Sequence, residues 1–396
     1  MNASHANQNA PSDSPSPQGQ VSLAELALIF LKLGTIAFGG PAAHIAMMED
    51  EFVRKRQWLT EADFLDRLGM ANLIPGPSST EVAIFIGYSK RGWAGLIVAG
   101  CGFIFPAAGL VAGIAAVYVR FGALPQVVGI LYGIKPAVIA IILQALWSLA
   151  RTAVKTKLLA AIAVTAVLLS GVGIAPLVVL AIAGIASGAA AWFKSQQRVA
   201  LTVIPLSGRF ALLVGTAAAA AATAPVSMLR LFLSFLKIGS VVFGSGYVLL
   251  AFLRTEFIDH LHWLTEKQLI DAVAVGQFTP GPVFTTATFI GYLVAGIGGA
   301  FVATLGIFVP GFAFVALSGR MIPLIRRSAS AAAVLDGVVV GSLALMAVVA
   351  WQLGRAAVLD WITLGILVID LVLLLRYRIN SAWLIAGAAF IGWLVG

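Results

Sequence analysis

Along most of this chain the polar residues are spaced by length rather than by an amphipathic period. Apolar runs with few or no charges occupy 94–119, 127–150 and 174–193. Each is long enough, at ~1.5 Å per helical residue, to cross a hydrocarbon core about 30 Å thick. Ala, Leu and Gly dominate these runs and no two-residue alternation is present. That predicts helices whose backbone is satisfied internally, not the strands of a barrel. The pattern is that of an all-α polytopic membrane protein. One stretch breaks it: between residues 60 and 74 stand Glu61, Asp63, Asp66 and Arg67, each of which would cost about 2.5–3.5 kcal/mol at the bilayer centre. This segment is expected to be an amphipathic helix at the interface with Phe64, Leu65 and Leu68 turned inward. The alternative is a hairpin turning at Pro75, Gly76 and Pro77.

The pattern is written twice. Phe30, Lys32, Gly34, Phe38 and Gly39 return 205 positions later as Phe235, Lys237, Gly239, Phe243 and Gly244. Trp58, Glu61, Asp66, Pro75 and Pro77 return at the same offset as Trp263, Glu266, Asp271, Pro280 and Pro282. One residue is then lost, and Phe85, Pro106, Trp147 and Arg151 return 204 positions later as Phe289, Pro310, Trp351 and Arg355. So long a period is a duplication of a whole unit, not a solenoid. It divides the chain into a tail (1–20), a first repeat (21–193), a linker (194–227) and a second repeat (228–396). The tail is rich in Ser, Pro, Asn and Gln and is expected to be disordered in the cytoplasm. Within the linker, 209–224 is an apolar stretch with no counterpart in either repeat. About six segments in each half and this spacer give about thirteen, an odd count that would turn the second half over, as in inverted-repeat transporters.

Composition and charge narrow the picture. Of the 396 residues 60% are hydrophobic and 10% charged, far below the roughly 25% charged of soluble domains. The net charge of +9 lies in short loops rather than on one soluble face, so it encodes orientation and not a nucleic-acid partner. With the N-terminus inside, Arg54, Lys55, Arg56, Lys90, Arg91, Arg151 and Lys155 fall on the cytoplasmic side. Inversion of the second half then places Arg320, Arg326 and Arg327 inside and leaves Arg254 and Lys267 outside. The single cysteine, Cys101, excludes disulfides and thiolate metal sites by count. No phosphate-binding loop, metal or cofactor motif is present, so an ion gradient or the membrane potential is the expected driver.

The candidate chemistry lies where helices must break. Gly39, Gly40 and Pro41, and again Pro75, Gly76 and Pro77, cannot continue a helix. Their counterparts are Gly244, Ser245 and Gly246, and Pro280, Gly281 and Pro282. Breaks at mid-membrane free backbone amides at helix starts, which with the positive dipole end form an anion site; a plain packing kink is the alternative. Lys32 and Lys237, at matching positions inside apolar helices, are candidates to attract a divalent anion or to snorkel to an interface. Ser78, Ser79 and Thr80, and Thr285 and Thr286, offer hydroxyls to an oxyanion or cap their helices. Asn72 and Gln277 are paired just before the breaks, and His44 is unpaired. Glu81 stands alone in an apolar run, where it could carry a coupling proton or neutralise Lys32 or Lys135. Glu51 and Glu256 recur beside basic residues and are expected in ion pairs.

Phe38, Gly39, Gly40, Pro41 and His44, then Pro75-Gly76-Pro77, Phe85 to Tyr88, and Phe105-Pro106, in this order and largely repeated, resemble the chromate ion transporter family and its long-chain, two-domain members. The likeness covers nearly the whole chain, although Gly244, Ser245 and Gly246 depart from the pattern. The resemblance implies export of chromate from the bacterial cytoplasm across the inner membrane, chromate resistance, and sulfate as an isosteric competitor. The lipid bilayer is the other expected partner, and a homodimer is compatible with the pattern. Two further classes, an intramembrane enzyme and a membrane scaffold, lack support: His44, His260, His262 and Cys101 form no catalytic set, and a scaffold does not need paired breaks.

Overall fold

The computed structural model describes residues 21–122, 124–196, 226–243, 248–377 and 379–395. The tail, most of the linker with its apolar stretch 209–224, and Gly244 to Tyr247 lie outside the described residues. No strand occurs among the described residues, and five helices are long and apolar enough to cross a membrane. The chain is a multi-pass α-helical membrane protein.

The first half runs α1 (Leu23–Ile36), α2 (Gly40–Glu49, continued as a π-helical turn to Lys55), α3 (Glu61–Ala71), α4 (Ser78–Phe121), α5 (Pro125–Ala153), α6 (Lys157–Gly171) and α7 (Pro176–Gln196). The second half repeats this order as α8 (Met228–Val241), α9 (Leu249–Leu253, continued to His260), α10 (Glu266–Phe278), α11 (Thr286–Arg327), α12 (Ala329–Ala357), α13 (Trp361–Val372) and α14 (Ser381–Val395). The repeated Trp-Leu-Thr-Glu word is the helix start of α3 and of α10. Thr60 and Thr265 each close a reciprocal cap, with Asp63 and Gln268 respectively, satisfying two otherwise orphaned amides.

Neither α4 nor α11 is one rod. Arg91 (φ −140°, ψ 23°) and Gly92 (φ 56°, ψ −140°) interrupt α4, and Ala295 (φ −147°, ψ 30°) and Gly296 (φ 62°, ψ −153°) interrupt α11 at the matching place. Positive φ with so negative a ψ is open essentially to glycine alone. The chain reverses there: a β-carbon on Gly87 would strike the Gly95 carbonyl and the Ala99 side chain, contacts impossible along a straight helix. Each half therefore opens with two folded-back arms. In the first arm, Arg56 at the end of α2 reaches Glu25 at the start of α1 (2.5 Å), and Phe30 stacks on Phe52 at 5.2 Å. Its counterpart is closed by the Lys237–Glu256 ion pair and by Phe235 on Phe257 at 4.8 Å. In the second arm, Lys90 donates to the Trp58 carbonyl beside the start of α3. The amphipathic reading of α3 holds for Phe64, which is buried, and for Leu68, which is half-buried. Leu65 is instead exposed, because it sits on the flank of α3 away from α4.

The later helices exchange partners. α5 packs against α13 and α14 of the second half, while α12 packs against α6 and α7 of the first. Small residues allow the close approach: Gly133 of α5 lies against the Ala388 backbone of α14, and Gly337 of α12 against the Ala183 backbone of α7. Within each half the first helix lies on the long one through a glycine, Gly34 against Phe103 and Gly239 against Ile307.

Candidate functional site at the helix breaks

The breaks of the two halves meet. Gly39 (φ 103°) and Gly40 (φ 75°) turn the chain from α1 into α2, and Pro41, in the first turn of α2, has the φ that a helix start requires. Gly76 (φ 137°) and Gly281 (φ 86°) do the same before α4 and α11. The Gly76 amide donates to the Val242 carbonyl of the second half (2.8 Å), and the Gly281 amide donates to the Ala37 carbonyl of the first (2.9 Å). Ala37 and Val242, like Gly76 and Gly281, are 205 positions apart. The two bonds are thus one contact made twice, as an isologous interface makes it. Gly281 also nests on Ala107, and Gly311, beside Pro310, faces Glu81.

His44 locks the first tip. Its Nε2 lies 3.0 Å from the Ala37 carbonyl, which only accepts, so Nε2 carries the proton; Nδ1 then receives the Ser79 hydroxyl at 3.3 Å. Phe103 meets the imidazole edge-on at 5.6 Å. Both ring nitrogens are engaged, so His44 ties α1, α2 and α4 together and, through Ala37, the second half as well.

Behind that lock the start of α4 is buried without being satisfied. Ser78, Ser79, Thr80 and Glu81 are all buried, and no side chain caps the helix. Among the described residues Thr80 Oγ1 and both Glu81 carboxylate oxygens have no hydrogen-bond partner. The matching start of α11 is closed: Thr285 Oγ1 donates to the Pro282 carbonyl and Thr286 Oγ1 to Val283, both at 2.8 Å, and Thr288 pairs with Thr304 at 2.7 Å. These hydroxyls bond carbonyls of their own helix or a neighbouring hydroxyl, so they do not cap.

One buried charge cluster is absent from the sequence reading. Lys135 of α5 lies 3.3 Å from Asp271 of α10, whose other oxygen accepts from Tyr118 of α4 at 2.8 Å. Asp271 is wholly buried and Lys135 partly so. Lys135 is therefore committed to Asp271 and does not neutralise Glu81. The counterparts are Ile322, Asp66 and Val339, with Asp66 exposed, so the triad exists once. Its members were visible as lone polar residues in apolar runs; their pairing left no local signal.

The other candidates are scattered. Lys32 is exposed on α1, and Lys237 is held by Glu256, which also accepts from Ser234 at 2.9 Å. Glu51 pairs with Arg56 at 2.7 Å, so both recurring glutamates are in ion pairs. Gln277 is buried beside its break, whereas Asn72 is exposed. Gly244 and Ser245 lie outside the described residues. Among the described residues no group of three or more His, Cys, Asp or Glu is placed to hold a metal.

Comparison with known proteins gives a consistent picture. A sequence profile described as chromate transporter matches residues 24–189 and again 229–393. A chromate transport protein of Cupriavidus metallidurans is 33% identical over 94% of this chain and 92% of its own length. A probable chromate transport protein of Synechococcus elongatus is 32% identical over 86% of each chain, and a chromate transport protein of Pseudomonas aeruginosa is 28% identical over 95% of this chain and 93% of its own. No solved structure matches.

Proposed function

Because the chain belongs to the chromate transporter family, we propose that it is a secondary transporter that carries chromate out of the bacterial cytoplasm across the inner membrane and so confers resistance to it. The observation that carries this reading is the reciprocal pairing of Gly76 with Val242 and Gly281 with Ala37. It brings broken helices of both halves to one place and buries the start of α4 there. A buried helix start with the Thr80 hydroxyl unpartnered among the described residues suits a tetrahedral dianion that sheds water. In this reading Gly39, Gly40, Gly76, Gly281, Ser78, Ser79 and Thr80 form the anion cradle, with Gln277 beside it. Glu81 carries the coupling proton, since an isolated carboxyl in a membrane interior marks an ion pathway.

Inverted halves are supported by following α4 from its reversal at Gly92. The helix first passes Gly34 at Phe103, then the second-half tip at Ala107, and then Asp271 and Phe289 at Tyr118. The second-half arms thus lie toward the end of α4 remote from the first-half arm bases. Those first bases carry Arg54, Lys55, Arg56, Lys90 and Arg91, which favours a cytoplasmic placement of that end and of the N-terminus. The halves read as 21–193 and 228–396. An inside-negative potential, worth ~2.3 kcal/mol per charge per 100 mV, favours outward movement of a dianion.

Inverted membrane vesicles should accumulate labelled chromate, with unlabelled sulfate competing. Accumulation of sulfate without any of chromate would overturn the substrate assignment, and accumulation only in right-side-out vesicles would overturn the direction.

A further inference from the structure

Two cavities occupy matching places in the two halves and differ in charge. The first, about 710 Å³, runs along α5 from Ile141 to Thr152 and reaches Gly39 at the first tip. It is lined by Gln144, Ser148, Arg151 and Thr152 of α5 and by Asn380 before α14, and among the described residues no acidic one lines it. Arg151 lies over the Trp147 ring at 5.9 Å, which positions the guanidinium without neutralising it, and it has no carboxylate partner among the described residues. The Asn380 carboxamide oxygen accepts from the Ala382 amide at 2.9 Å. Its Nδ2 is left as a donor 3.5 Å from where a β-carbon of Gly39 would stand. The second cavity, about 320 Å³, is lined by Leu345 and Gln352, the counterparts of Ile141 and Ser148, and by Pro176 at the position matching Asn380. Its cation, Arg254, is bound to Asp259 at 2.9 Å and to Glu266 at 2.8 Å, and Asp259 itself lines the cavity.

We propose that the cavity beside Gly39 is the loading vestibule, in which Arg151 and Asn380 engage a divalent oxyanion before it reaches the tips, and that the second cavity is a release vestibule of low anion affinity. The proposal rests on the transport reading above and deepens it. An unpaired guanidinium offers a fork of donors to an oxyanion, whereas an arginine held by two carboxylates beside an acid-lined wall has little field left for one. The same fold thus grips the dianion on one side and holds it weakly on the other, which speeds loading and release while the membrane potential sets the direction.

The test pairs equilibrium binding of chromate and of sulfate to the purified full chain with chromate uptake by inverted vesicles. Arg151→Ala should raise the half-saturating concentration about tenfold, the value of one charge-assisted hydrogen bond, with a smaller loss of maximal rate. Arg151→Lys should recover part of the affinity because it keeps the charge and loses the fork. Asn380→Ala should act in the same direction more weakly. Asp259→Asn should lower the maximal rate, because the released Arg254 retains the anion. An unaltered half-saturating concentration in Arg151→Ala, with chromate still transported, overturns the vestibule and leaves the transport reading standing. Arg151-dependent binding of sulfate with no binding of chromate keeps the vestibule and overturns the substrate assignment. Absence of binding by either anion overturns both.

Discussion

The starts of α4 and α11 occupy the same place in the duplicated plan and have been finished differently. At α11 the Thr285 and Thr286 hydroxyls find carbonyl acceptors and the Thr288 hydroxyl pairs with that of Thr304. At α4 one of those places is taken by Glu81, which is buried with no partner among the described residues, beside a Thr80 hydroxyl in the same condition. A protein selected only for stability would not keep this, since a buried carboxyl with no hydrogen-bond partner is costly in either protonation state. The closed start shows the position with every hydroxyl satisfied, and the open one is the difference on which the proposed ion pathway rests.

Four measurements would break or sharpen that contrast. The largest effect belongs to Glu81→Gln, expected to reduce chromate transport by at least about a hundredfold if the carboxyl moves the coupling proton. It should leave the folded protein at least as stable, whereas Thr285→Val or Thr286→Val should transport nearly normally. Wild-type rates in Glu81→Gln, with protein amount controlled, would end the distinction.

Next is the triad that only one half possesses. Asp271→Asn or Lys135→Met alone strands a buried charge, at about 3–5 kcal/mol. The double variant should recover much of that loss in a thermal-unfolding cycle. Asp66→Asn at the exposed counterpart should shift stability by no more than about 0.5 kcal/mol. Additive losses in the double variant would show that the pair is not a unit.

The tip glycines should differ by less. Both have positive φ, which alone costs an alanine about 1–2 kcal/mol. A new β-carbon at Gly281 also meets Ala107, packed and unable to yield, whereas at Gly76 it meets the Glu81 side chain. Gly281→Ala is therefore expected to lower the melting temperature more, and Gly76→Ala to impair transport more.

The smallest effect concerns helix caps. Thr156 starts α6, and at the matching position Asp360 starts α13. The Thr363 backbone amide and then the Tyr132 hydroxyl hold the Asp360 carboxyl below its ordinary value. Its contribution is complete above the ordinary carboxylate range and is lost as pH falls through the lowered folded value. Amide exchange at the start of α13 should accelerate on acidification, while α6, capped by a hydroxyl, should not respond.

Much of this was legible in the sequence, for identifiable reasons. The repeated words fixed the duplication, and Gly-Gly-Pro and Pro-Gly-Pro marked the breaks because those residues have few other uses inside apolar helices. Glu81 stood out because its counterpart is uncharged. The reversal at Gly92 was hidden: no proline accompanies it, and a lone glycine in an apolar run reads like any other packing glycine. The Lys135–Asp271 pair was hidden because partners 136 positions apart are chosen by tertiary packing. Lys237 reads in the sequence as an anion ligand or a snorkelling side chain, because its own acid, Glu256, lies on the returning helix. The exchange of helices between halves leaves no mark at all, since one apolar face resembles another.

That exchange also bears on synthesis. The α5 helix leaves the ribosome well before the surfaces it leans on, α13 and α14. Until the 15-residue α14 is inserted, the face of α5 that carries Gly129 and Gly133 lacks its partner. A chain that stops before α14 therefore leaves the glycine face of a first-half helix unmated.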